Sequence, residues 1–162
     1  MRNILITGVA ALTASMVVAA CTAADKEGAS ALEAQAALEE ANKEKALYCM
    51  DLLFTQHDIE KSREECWGET YIQHNPMAPD GREALFSFIG PFFEANPEAS
   101  ADIKRIAADG DLVWIHYNNK LTPDALGMAV VDILRMEDGK FVEHWDVVQP
   151  VPEEAANDNT MF

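Results

Sequence analysis

Two Asp-Gly steps, Asp109-Gly110 and Asp138-Gly139, restrict the architecture more than any other feature. Such a pair supplies the positive φ angles of a two-residue hairpin turn, and each lies between runs rich in β-branched and aromatic residues. Residues 103–107 and 112–121 therefore read as one hairpin, and 128–136 and 141–149 as a second. Upstream, Ala46, Leu47, Met50, Leu53 and Phe54 recur at helical spacing, and Asp58 is a good N-cap for a short helix ending near Cys66. Tyr71-Ile72-Gln73-His74-Asn75 reads as a strand stopped by Pro76. Asp80-Gly81-Arg82-Glu83 reads as a capping box opening a helix over 82–89, which Pro91 ends or kinks. This order predicts an α+β fold, with helices covering one face of a mostly antiparallel sheet.

Arg2 precedes an uncharged apolar run over 4–20, the layout of a bacterial export signal. The run ends in Val18-Ala19-Ala20-Cys21, which resembles the lipobox of bacterial lipoproteins, where cleavage falls before a cysteine that carries lipid. The resemblance implies a signal peptide over 1–20, lipidation at Cys21 and membrane attachment through the lipidated N-terminus. Thr22, in place of the Asp that retains lipoproteins at the inner membrane, points to the outer membrane of the cell envelope, facing the periplasm. The other readings are a plain cleaved signal with an incidental Cys21 and an uncleaved anchor, for which the Ala-rich run is short. Residues 21–43 read as a helix-prone tether, 44–152 as the folded domain and 153–162 as a flexible polar tail.

Export places Cys49 and Cys66 in an oxidising compartment. A chain reversal near His57 would make them face each other as a disulfide; two separate buried thiols are the alternative. His57, in that turn, is expected to face solvent. With 12 Lys and Arg against 28 Asp and Glu the formal charge is -16, a field that repels phosphate backbones and excludes nucleic acid as a partner. The sequence also lacks a phosphate-binding glycine loop.

Side-chain alternation puts His144 and Asp146 on one face of the last strand and Glu143 and Trp145 on the other. Counting back from the Asp138-Gly139 turn pairs His144 with Ile133 and Asp146 with Val131. Among such apolar neighbours desolvation makes Asp146 a stronger proton acceptor, which His144 would orient or relieve of its proton. The other face of the hairpin would carry Met128, Val130, Leu134, Met136, Phe141, Trp145 and Val147, with Asp132 as an interface or structural group. With both faces apolar, one packs under helices and the other meets a second copy of the chain.

The segments Tyr-Ile-Gln-His-Asn-Pro at 71–76, Asp-Gly-Arg-Glu-Ala-Leu at 80–85 and Glu-His-Trp-Asp-Val-Val-Gln-Pro at 143–150 resemble the SnoaL-like group of the NTF2-like superfamily, over about residues 44–152. The resemblance implies an NTF2-like cone, with a curved sheet packed on three helices, a deep apolar pocket and a homodimer through the sheet's outer face. In the polyketide cyclases that name the group, a carboxylate acts as acid and base in an intramolecular aldol closure without metal or cofactor. Carried over, Asp146 removes a proton beside a carbonyl and His144 holds or relays it. His74 and Asn75 donate hydrogen bonds to the enolate oxygen, while Tyr71, Trp114 and His116 line the pocket. The implied partner is a small apolar carbonyl-containing molecule. Limonene epoxide hydrolases, similar in fold, use an Asp-Arg-Asp set; His144 stands in the place of that Arg, which disfavours epoxide opening. Ketosteroid isomerases pair a base with a Tyr and a protonated Asp, and no second inward Asp is found here to match.

The competing reading is a non-catalytic envelope lipoprotein that binds a small apolar ligand or lends its dimer to an assembly. A metal site from His74, His116, His144 and Asp146 is a third, but it lacks a tight paired-His signature, so neither metal nor cofactor is expected. An open cavity where these groups converge favours catalysis, and a filled one favours a structural role.

Overall fold

The computed structural model describes residues 26–162 in full and only the helical backbone of 10–25; the expected signal peptide and Cys21 lie outside the fully described residues. The chain forms two units, Met1–Ala37 and Leu38–Phe162. In the first, the fully described residues are helical and exposed. The second holds the core. The elements are α1 (Ala10–Phe54), α2 (Ile59–Cys66), β1 (Trp67–Gln73), α3 (Arg82–Ala95), β2 (Ser100–Asp109), β3 (Leu112–Lys120), β4 (Met128–Glu137) and β5 (Lys140–Pro150). This is the expected α+β order. The strands form one mixed sheet, β1-β5-β4-β3-β2, in which only β1 and β5 run parallel.

Asp58 caps α2 by accepting a hydrogen bond from the Lys61 backbone N–H at 3.2 Å. The reversal before it, at His57 with φ 50°, brings Cys49 and Cys66 to a Cα separation of 5.7 Å, and they form a disulfide. His57 is half-buried rather than exposed. Its Nε2 donates to the Ala99 carbonyl at 2.9 Å and its ring lies 4.4 Å from that of Phe93, contacts that solvent exposure would forgo.

Strand β1, the end of α3 and the first hairpin turn depart from the sequence expectation. Strand β1 begins at Trp67 and ends at Gln73, leaving His74 and Asn75 just beyond it. Helix α3 starts at Arg82, as expected, but without the expected cap, because the Asp80 carboxylate accepts from the Gln73 backbone N–H at 2.9 Å instead. The same helix continues through Pro91 to Ala95, where Phe93 packs edge-on against Phe54 at 5.6 Å. The first hairpin turn also sits one residue on, at Gly110 and Asp111, where Asn42 and Glu39 of α1 hydrogen-bond Gly110. The second turn is Asp138-Gly139, as expected, with φ of 51° and 72°. Residues 153–162 carry no helix or strand, yet the Phe162 ring stacks on His116 at 5.6 Å and lies under the Lys104 ammonium.

The departure that matters most follows the second turn. Met136 pairs with Phe141 but Arg135 pairs with Glu143, so Val142 is an extra residue, a β-bulge in β5. Pairing beyond it is shifted by one: His144 faces Leu134, Trp145 faces Ile133 and Asp146 faces Asp132. A one-residue slip exchanges the faces of a strand. Val130, Asp132, Leu134, Met136 and Phe141 are therefore buried on the same side as His144 and Asp146, while Trp145 and Val147 lie on the other. This corrects the expected pairing with Ile133 and Val131, and it brings Asp132 inward. Gly68 of β1 makes room for the bulge, because a Cβ there would stand 2.9 Å from Val142 Cγ1.

Deleting Val142 is expected to turn His144 and Asp146 outward, making His144, now with 14% of its side chain exposed, reactive to an imidazole-modifying reagent on site-resolved mass spectrometry. Cys49→Ser, which opens a loop of sequence separation 17, is expected to cost roughly 3 kcal/mol, read as a lower Tm by calorimetry.

Candidate active site

Between the inner face of the sheet and the helices lies a cavity of about 120 Å³. Met50, Leu53, Phe54, Trp67, Leu85, Ile89, Leu134 and Phe141 make its walls apolar, and its polar lining is Tyr71, Gln73, Tyr117, Asp132, His144 and Asp146. Strand alternation delivers these groups: Tyr71 and Gln73 from β1, Tyr117 from β3, Asp132 from β4, and His144 and Asp146 from β5. The volume is of the order of a cavity that accepts benzene, about 150 Å³.

His144 lies at the centre of a hydrogen-bonded chain. Its Nε2 is 3.2 Å from Asp132 Oδ1 and its Nδ1 is 2.8 Å from Gln73 Oε1. Asp132, only 6% exposed, also accepts from the Tyr117 hydroxyl at 3.0 Å. Asp146 accepts from Asn75 Nδ2 at 2.5 Å. Burial pushes the Tyr71 phenol well above its ordinary range, and the Asp132 and Asp146 carboxylates push it further. Burial, then Asp132, does the same to Tyr117. Both phenols stay neutral and keep their O–H.

The structure brings together Asp146, His144, Tyr71 and Asn75 of the residues expected from sequence, but neither His74, Trp114 nor His116. His74 follows β1 and turns to the other side of the sheet, with Nε2 at 2.9 Å from Glu143 Oε1 and its ring stacked on Trp145 at 4.7 Å. On β3 the inward positions belong to Val113, Ile115 and Tyr117, so Trp114 and His116 lie on the outer face, in a recess with Arg105 and Val131. There His116 Nδ1 accepts from Arg105, and partial burial followed by that guanidinium holds its pKa below the ordinary value. The four-residue metal set expected as a third reading therefore does not converge. Among the described residues, Asp132, His144 and Asp146 do, offering three ligand atoms within 4.8 Å of one another.

Sequence reasoning missed Asp132, Tyr117 and Gln73. Alternation alone puts Asp132 on the outer face, because a bulge leaves no local signature in the sequence of β5. Tyr117 was within reach, since it shares parity with Val113 and Ile115 in an apolar strand. Gln73 stands two residues from Tyr71, on the same side of β1.

A family model described as a SnoaL-like domain matches residues 48–144. A proposed polyketide cyclase from Acidithiobacillus ferrooxidans superposes with a TM-score of 0.58 at 18% identity, over 67% of this chain and 87% of its own. A SnoaL-like protein of unknown function from Burkholderia thailandensis does so with 0.58 at 15% identity, over 68% and 96%. A proposed ketosteroid isomerase from Kribbella flavida gives 0.58 at 18%, over 76% and 89%. A search of curated proteins finds no match.

Outside the cavity, Glu143 is held by Arg135 at 2.8 Å and His74 at 2.9 Å, which keep its carboxyl below the ordinary value of 4.5. A folded-state pKa so depressed stabilises the fold above the unfolded value and loses that contribution as pH falls through the folded one. Glu143→Gln is therefore expected to destabilise near neutrality and to flatten the fall in Tm below pH 4.5, measured by scanning calorimetry across the acid limb.

Proposed function

Since the chain belongs to the SnoaL-like domain family, we propose that it moves a proton beside the carbonyl of a small apolar molecule, as an isomerase or aldol-type cyclase without cofactor. The observation that carries this reading is the convergence of Asp146, His144 and Asp132 on one apolar cavity that also holds a neutral phenol. Asp146 is the base: Asn75 engages Oδ2, leaving Oδ1 for the proton beside the carbonyl. Tyr71 is the donor to the developing enolate oxygen. Its hydroxyl accepts from Gln73 Nε2 at 3.3 Å, so its own O–H remains to be given to the substrate. A donor aimed at new charge in a water-poor site stabilises the transition state strongly. The roles given by resemblance to His74, Trp114 and His116 do not enter, because these side chains lie away from the cavity.

The cavity sets the size of the reacting part at roughly that of benzene, smaller than an aromatic polyketide. The chemistry named for the similar A. ferrooxidans and K. flavida proteins, cyclisation and isomerisation, both begin with this proton removal. In the cell we place the protein in the envelope as an outer-membrane lipoprotein anchored through Cys21 and facing the periplasm, as a homodimer. A second reading, a non-catalytic lipoprotein holding a small apolar ligand, draws support from the modest volume and from the number of lining polar groups already bonded to one another.

The test is exchange of the protons beside the carbonyl of cyclopentanone for deuterium, followed by NMR in heavy water. Wild-type protein is expected to accelerate exchange, and Asp146→Asn to lower that rate by about 100-fold or more. Binding of cyclopentanone without exchange would favour the carrier reading.

A further inference from the structure

Gln73 closes β1, and its carboxamide touches three groups of the site. The Asn75 backbone N–H donates to its Oε1 at 3.0 Å, its Nε2 donates to the Tyr71 hydroxyl at 3.3 Å, and its Oε1 lies 2.8 Å from His144 Nδ1. A backbone N–H can only donate, so the contact with Asn75 decides which end of the amide is oxygen. A carbonyl oxygen can only accept, so His144 Nδ1 must carry a hydrogen. The opposite nitrogen, Nε2, then stands 3.2 Å from Asp132 Oδ1. Two bare lone pairs would repel there; a further proton, on the ring or on the carboxyl, turns the contact into a hydrogen bond. Without Gln73 a neutral ring could satisfy Asp132 with Nε2–H and leave Nδ1 bare. With Gln73 the same pair holds one proton more.

We propose that Gln73 is a positioning residue that sets the protonation pattern of His144 and so stations a transferable proton between His144 Nε2 and Asp132, at the cavity wall. This rests on the proton-transfer reading and supplies its acid. Asp146 takes the proton from carbon, leaving the electron pair in the enolate. The proton held by the His144–Asp132 pair passes to the enolate oxygen, with Tyr71 hydrogen-bonded to that oxygen throughout. On collapse to product the oxygen returns its proton to the pair and Asp146 delivers its own to carbon. Protons and electrons balance, and nothing outside the site is consumed. Tyr117, donating to Asp132 Oδ2 at 3.0 Å, keeps Oδ1 turned toward the imidazole.

The protonation pattern can be read without a substrate, from ring-nitrogen shifts of His144 in a two-bond ¹H–¹⁵N correlation spectrum of the whole protein, assigned with a His144→Gln variant. Wild type is expected to show a protonated Nδ1. Gln73→Leu, which removes the acceptor, is expected to move the ring to the neutral Nε2–H form. Gln73→Glu, whose carboxylate accepts from both Asn75 N–H and His144 Nδ1–H, is expected to restore the wild-type pattern. In the exchange assay Gln73→Leu should lower kcat by about 100-fold with little change in KM. A bare Nδ1 in wild type overturns the proposal, whether or not the variants fold, and so does an unchanged pattern in folded Gln73→Leu. Should wild type exchange deuterium with Nδ1 bare, the proton-transfer reading stands and the role of Gln73 falls. Should Nδ1 be protonated and Gln73-dependent but no exchange occur, the positioning by Gln73 stands and the catalytic reading falls.

Discussion

Val142 has no partner in the β4–β5 ladder, and the site's composition follows from that single unpaired residue. Before it the strands pair as the Asp138-Gly139 turn dictates; beyond it every β5 side chain meets a neighbour one place removed. The shift lets Phe141 and His144, of opposite parity in β5, both face inward. Phe141 can then fill the core, edge-on to Trp67 at 5.0 Å, while His144 and Asp146 still reach the cavity. A strictly alternating strand that buried Phe141 would have sent both ionisable groups to the other face. Gly68 of the neighbouring strand is part of the same device, since a larger residue would collide with Val142.

Putting Asp132 and Asp146 opposite each other in an apolar hollow is electrostatically costly, and the structure compensates with hydrogen bonds from neutral groups. Tyr117 and Asn75 each serve one carboxylate, and the His144 imidazole bridges between Asp132 and Gln73. Among the described residues, no Lys or Arg lines the cavity to neutralise the pair. Burial and the same two carboxylates hold the phenols in their protonated form, so acceptors and donors coexist within a few ångströms. The cations are spent elsewhere: Arg135 on Glu143 and Arg105 on His116, at the far side of the sheet.

Much of the frame was legible because its causes are local. Asp138-Gly139 specifies its turn through the φ angles it tolerates, Asp58 caps α2 with its own side chain, and the helix reversal between Cys49 and Cys66 follows from spacing. Where a residue has two competing uses the reading failed. Asp80 bonds to Gln73 instead of opening α3, and His57 covers Phe93 instead of facing water. His74 illustrates the same limit at the site: its motif draws attention to it, yet the chain leaves β1 at Gln73 and the imidazole stacks on Trp145 outside the cavity.

Periodicity, turn chemistry and the motifs around Tyr71 and His144 were enough, taken from the sequence alone, to establish the order of elements, the α+β class and the pairing of His144 with Asp146 on one side of a strand. Those features depend on neighbours within a few residues, and neighbours along the chain are what a sequence displays. That Asp132 joins them, that Gln73 holds the imidazole and that three other expected residues stand elsewhere was decided only in the folded molecule. A bulge and a sheet face are relations between strands, set by which packing of Phe141, Trp67 and Gly68 leaves the fewest voids and clashes.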